Sequence, residues 1–192
     1  MTPEIENFKT YLTKLVSINK MNFELVLDYI QIKNIKKGDY FIKANNICSH
    51  VAYIHQGIFR IYYLKNGNEV NTCFCIENSM MSSFESFIKR SSSQEYIQAL
   101  EDAVIVTISY EGLMKLYEIS KAWQQIGRLL TEKECLRLSN RAASLSFETA
   151  LEKYQNLLKS QPQIIQRVSV QDIASYLGVS RETLSRIRSK IT

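Results

Sequence analysis

VQDIASYLGVSRETLSRIR, residues 170–188, is the stretch that decides how this chain is read. Val170, Ile173, Ala174 and Leu177 recur at i, i+3, i+4 and i+7, the apolar stripe of an amphipathic helix. Ala174 is small where a second helix has to cross closely. Gly178 follows at once, the residue best able to take a left-handed turn, and Ser180 is a good N-cap for a new helix. Leu184, Ile187 and Ile191 give that helix a buried stripe of its own, so Arg181, Glu182, Ser185 and Arg186 point elsewhere. The pattern predicts a helix-turn-helix whose second helix brings its N-terminal end to the major groove. An ordinary helical hairpin shares the periodicity; the small crossing residue, the turn glycine and the basic outer face separate the two.

Charge points the same way. The chain carries a net charge of +5, and the segment from Leu151 onward holds seven basic residues (Lys153, Lys159, Arg167, Arg181, Arg186, Arg188 and Lys190) against three acidic ones (Glu152, Asp172 and Glu182). Nearly all of the excess therefore sits beside the helix-turn-helix, the footprint of a phosphate-facing module.

The rest of the composition bounds the answer. With 192 residues and 45% hydrophobic content, a real core can be buried in two small domains or one larger one. No apolar run approaches 18 residues, so no transmembrane helix is expected. MTPEIENFKTYL at the start is mixed in charge and unlike a signal peptide, which places the chain in the cytoplasm. Cys48, Cys73, Cys75 and Cys135 read as reduced thiols; Cys73 and Cys75 share a strand face in TCFCI but lack the paired C-x-x-C spacing of a metal site. His50 and His55 read as ordinary histidines. No nucleophile, base and orienter form a set, so no enzyme is expected.

Along the chain, Ile5, Phe8, Leu12, Leu15 and Val16 mark a first helix, from Pro3 to about Ile18, and Phe23, Val26, Leu27 and Ile30 a second over about 22–30. Short strands follow at 32–35, 40–42, 51–54, 58–64, 69–76, 96–100 and 104–109, with Asn66-Gly67 as a strong hairpin turn and 77–90 irregular. Many short strands with tight turns predict a barrel or sandwich. From Glu111 on the reading is helical: 111–119, a long helix over 122–145, then 147–158 and 162–168. Ser169 with Asp172 starts the first helix of the reader in the manner of a capping box. The long helix has coiled-coil-like spacing, and a stripe that one small barrel cannot cover predicts a dimer seam of Trp123, Ile126, Leu129, Leu130 and Leu136.

KKGDYFI (36–42), HQGIFRIYYLKNGNEV (55–70), QALEDAVIVTIS (98–109) and QDIASYLGVSRETLSRI (171–187) together resemble the Crp/Fnr family of bacterial transcription regulators. The resemblance implies an α+β chain: a cyclic-nucleotide-binding-like β-barrel (a jelly roll) with flanking helices over 1–119, a long dimerisation helix over 120–146 and a DNA-binding helix-turn-helix domain over 147–192. It implies that Arg181, Glu182 and Arg186 contact base edges. Independently, the Arg fork matches guanine O6 and N7, and Glu accepts from cytosine N4. Ser180, Ser185, Arg188 and Lys190 suit phosphates, as do Ser169 and Gln171 at the start of the preceding helix. The implied partners are double-stranded DNA with an inverted repeat, a second copy of the chain and RNA polymerase.

Two departures stand out. The family's nucleotide site uses a Gly-Glu pair and, later, an Arg followed by Ser or Thr. Here the region reads MMSSFESFIKRSSSQEYIQAL: no Gly-Glu is present, Ser93 and Gln94 stand where the Arg and Ser or Thr are expected, and Glu85 and Arg90 lie nearby out of register. Ser82, Ser83, Phe84, Glu85, Ser93 and Gln94 are the candidate pocket residues. Losing the phosphate's Arg forfeits a charge-assisted bond of roughly 1.5–3 kcal/mol. The expectation is a pocket for a different small-molecule effector, or none, and no cyclic AMP in the usual way. Also, the sequence stops at Thr192, where many relatives continue into a β-hairpin wing, so fewer backbone contacts are expected. The rival from another class is a small-molecule sensor whose terminal helices hold a protein partner.

Overall fold

A computed structural model describes residues 1–16 and 23–190. The chain divides into two compact units, one of residues 1–61 and 75–132, the other of residues 62–74 and 133–192.

The first unit opens with helix α1 (Pro3–Thr13), started by a proline in its first turn. The helix expected over 22–30 begins outside the described residues. What is described of it ends in a 3₁₀ turn, Leu27–Tyr29, because Ile30 already pairs with Ile108 as the first residue of β1 (Ile30–Ile35). Strands β2 (Tyr40–Ile42), β3 (His50–Gln56), β4 (Phe59–Lys65) and β5 (Asn68–Cys75) follow. The stretch expected to be irregular holds a short strand, β6 (Met80–Met81), and helix α2 (Phe84–Lys89), which places Phe87 in the core. Strands β7 (Tyr96–Ala99) and β8 (Ala103–Ser109) complete two four-stranded sheets, ordered β1-β8-β3-β6 and β2-β7-β4-β5. The barrel-or-sandwich expectation holds in this form.

Helices α3 (Tyr110–Ile119) and α4 (Lys121–Phe147) come next, α3 capped by the Ser109 hydroxyl. The core gathers Tyr53, Val106 and Ile108 from the strands, Phe8 and Leu12 from α1, Leu116 from α3 and Trp123 and Ile126 from the start of α4. Phe8 and Tyr11 both lie 5.3 Å from the Tyr53 ring, an arrangement that adds to the burial of each ring. Gly57, at φ +106°, has Ala103 so close that a Cβ would sit 2.5 Å from the alanine's, so no other residue fits this turn.

The second unit consists of the β4–β5 hairpin, the later part of α4 and helices α5 (Ala150–Ser160), α6 (Pro162–Arg167), α7 (Val170–Leu177) and α8 (Arg181–Ser189). Asn66 and Gly67 take φ +52° and +79° at the hairpin tip, the signs a type I′ turn requires. α5 starts three residues later than expected. Thr149 and Glu152 form a reciprocal capping box that fixes the start, while Phe147 ends α4. Tyr154, Leu157, Ile164, Val168, Ile173, Ala174, Leu177, Leu184 and Ile187 are buried here. Among the described residues no helix is long and apolar enough to cross a membrane.

Candidate nucleic-acid interface

The helix-turn-helix is assembled by its caps. The Ser169 hydroxyl accepts the Asp172 amide at 3.0 Å and donates to Asp172 Oδ2 at 2.6 Å, starting α7. Gly178, at φ +72°, ends it, with its amide bonded back to the last turn. The Ser180 hydroxyl then accepts the Thr183 amide at 3.1 Å to start α8. Ile173, Ala174 and Leu177 of α7 and Leu184 and Ile187 of α8 are buried. Burying those two α8 residues leaves Arg181, Glu182, Ser185 and Arg186 exposed, lining one open concavity.

The electrostatics of that face suit its role. Its own backbone amide, the Ser180 hydroxyl and the nearby Arg181 and Arg186 hold the Glu182 carboxyl below the usual carboxylate range. Glu182 is therefore an ionised acceptor set among cations at neutral pH. Gln171 and Lys190 are exposed, and Arg188 is half-buried. Of the expected reader residues, Ser180, Arg181, Glu182, Ser185 and Arg186 lie in the cap and first turns of α8, Arg188 and Lys190 at its other end, and Ser169 and Gln171 at the start of α7. Ser169 and Ser180 have their hydroxyls engaged as caps at the two helix N-termini.

The expected effector residues gather less completely. Ser83 and Ser93 are buried, with their hydroxyl oxygens 2.9 Å apart. Ser83 also donates to Glu95 Oε2 at 2.9 Å, and Ser93 bonds both the carbonyl and the amide of Glu95. Ser82 turns to the His50 carbonyl and to Cys48, Glu85 pairs with Lys89 at the surface, Phe84 is half-buried and Gln94 is exposed. Glu95 was missed in the sequence, where it looks like one more polar loop residue. Arg90 bonds the Cys48 carbonyl and lies 4.2 Å from the Tyr110 ring.

Along α4, Trp123 and Ile126 are each 1% exposed in the core of their own unit, so they cannot face a second copy as expected. The large volumes of Trp and Ile are taken up by the packing between α1, α3 and the strands. Leu129 and Leu130 are partly buried against the same core, whereas Leu136 is 65% exposed. The four cysteines are free thiols. Among the described residues no group of three or more His, Cys, Asp or Glu side chains could hold a metal ion.

Residues 32–120 match the cyclic nucleotide-binding domain family, and residues 167–190 match the bacterial regulatory proteins of the crp family. No curated protein matches. Several solved structures share the fold. The c-di-GMP responsive global regulator CLP of Xanthomonas campestris superposes with a TM-score of 0.70 at 18% identity, covering 90% of this chain and 91% of that one. FixK2 of Bradyrhizobium japonicum gives 0.71 at 19%, covering 84% of each chain. A putative transcriptional regulator of the crp/fnr family from Eubacterium rectale gives 0.72 at 19%, covering 94% of this chain and 87% of that one. Together these matches define the class: a cyclic-nucleotide-binding fold followed by a helix-turn-helix. Within that class, the chain has the fold of a Crp/Fnr-type transcription regulator, with a DNA-binding helix-turn-helix domain.

Proposed function

We propose that the protein is a homodimeric, sequence-specific transcription regulator, with sensing assigned to residues 1–119, dimerisation to 120–146 and reading to 147–192. The observation that carries this reading is the exposed cluster of Arg181, Glu182, Ser185 and Arg186 at the capped start of α8. Two such helices reading successive major grooves, about 34–36 Å apart, would select an inverted repeat. Leu136 stands exposed on α4, one heptad beyond the partly buried Leu129 and on the same stripe, and a second copy of the helix would cover it.

Cyclic AMP is not the effector in this reading. A cyclic phosphate brought to Ser83 and Ser93 would meet the Glu95 carboxylate, a like charge, with no arginine in the second cassette position.

Selection of bound sequences from a random duplex pool at about 150 mM salt, where non-specific binding is weak, tests the reading. The expected result is an inverted repeat, enriched equally with and without cyclic AMP. No enrichment and no salt-dependent affinity would point instead to a protein partner for the terminal helices.

A further inference from the structure

Edge strand β5 and the first helix of the reader lie in the same compact unit and are joined by an unusual set of bonds. The Ser175 hydroxyl of α7 accepts the Asn71 amide at 3.0 Å and donates to the Glu69 carbonyl at 2.8 Å. It thereby supplies both bonds that a neighbouring strand would give on either side of Val70. The Asn71 side chain, 2% exposed, donates from its amide nitrogen to the Asp172 carbonyl at 3.3 Å and to Asp172 Oδ1 at 3.1 Å. The other carboxylate oxygen of Asp172 holds Ser169, the cap of α7. One hydrogen-bonded path therefore runs from β5 through Asp172 to the N-terminal cap of the reader.

Asn71 Oδ1 is buried without a hydrogen-bond partner among the described residues. An apolar residue would fill this place without that cost. What asparagine supplies in return is its pair of bonds to α7. The recognition face is left open: Arg181, Glu182, Ser185 and Arg186 remain exposed while α7 is held. The contact fixes the reader without covering it.

We infer that Asn71 and Ser175 are positioning residues for DNA reading, docking α7 on edge strand β5 so that the recognition helix is presented in one orientation. The inference rests on the DNA-reading function proposed above. It gives the β4–β5 hairpin, which belongs to the same compact unit as the helix-turn-helix, a direct hold on α7. Loss of the hold leaves each recognition helix able to bind but frees its direction, which costs affinity only where two readers must fit one site together.

Amide exchange by NMR on the full chain, paired with binding to the selected repeat, tests this. In Ser175→Ala the Asn71 amide is expected to lose at least about tenfold in protection, as a locally opened contact does, while the Leu177 and Ile187 amides keep theirs. Ser175→Ala and Asn71→Ala are both expected to bind the full repeat about tenfold more weakly, to discriminate less between half-site spacings one base pair apart, and to bind a single half-site within twofold of the parent. An Asn71 amide that exchanges freely in the parent chain would overturn the docking. Unchanged spacing discrimination in both variants, or equal losses on the single half-site, would overturn the positioning role. A protected Asn71 amide in a parent chain that selects no DNA would instead overturn the DNA reading, taking the positioning role with it but leaving the docking intact.

Discussion

The guanidinium of Arg141, on α4, lies 3.9 Å from the centre of the Tyr176 ring and donates to the Tyr176 carbonyl. That carbonyl is in the last turn of α7, where the helix itself offers no partner, and a cation there also complements the helix dipole. The same ring packs against Phe74, 5.3 Å away between centroids. Arg141→Ala is expected to cost about 1–3 kcal/mol by denaturant unfolding, from the lost stacking and the charge-assisted bond together. Arg141→Lys keeps the charge but not the planar fork, and should recover only part of it. An Arg141→Ala chain as stable as the parent would contradict this role.

Base reading makes a sharper demand on α8. Arg186→Ala or Arg181→Ala should cost about 1–3 kcal/mol on the selected repeat and relax the preference at one base pair per half-site. Lys190→Ala should weaken all duplexes alike and lower the salt slope by about one. If the arginine variants weakened every sequence equally, those side chains would be holding phosphates.

Assembly is probed on the outer side of α4. Leu136→Asp places a charge on a side chain that is 65% exposed in a single copy, so the protomer's own fold should survive. Light scattering is expected to show the mass halved, with little change in circular dichroism. A variant that kept the parent's mass would exclude Leu136 from the seam.

Acid should expose the capping box of α5. The Thr149 amide, and then its hydroxyl, bond the Glu152 carboxylate and hold its pKa below the usual range. A depressed carboxylate stabilises the fold above its unfolded pKa, about 4.3, and that contribution is lost as pH falls through the folded value. Glu152→Gln should therefore melt below the parent at pH 7, and the gap should close below about pH 4. A gap independent of pH would mean that the charge is irrelevant to the cap.

The strands were legible because they alternate and because Asn66-Gly67 admits few structures. The reader was legible because its caps, turn glycine and apolar stripes all agree on one register. Other features were hidden for physical reasons. FESFIK is too short to show a helical period, so α2 looked irregular. Trp123 and Ile126 fit a coiled-coil spacing equally well whether they face a partner or their own core, and only the packing chooses. Asn71 and Ser175 are 104 positions apart, and each reads locally as a surface residue of an edge strand or an amphipathic helix. Glu95 was concealed in the same way, since a carboxylate just after three consecutive serines signals solvent until its bonds to Ser83 and Ser93 are seen.

Helix α4 has 27 residues. At 1.5 Å per residue it is a rod of about 40 Å. A tilt of about 5° at one end of such a rod sweeps the other by about 3.5 Å, close to the 3.4 Å that separates successive base pairs. Along so long a lever, a few tenths of an ångström at one turn become ångströms at the last turn of the same helix.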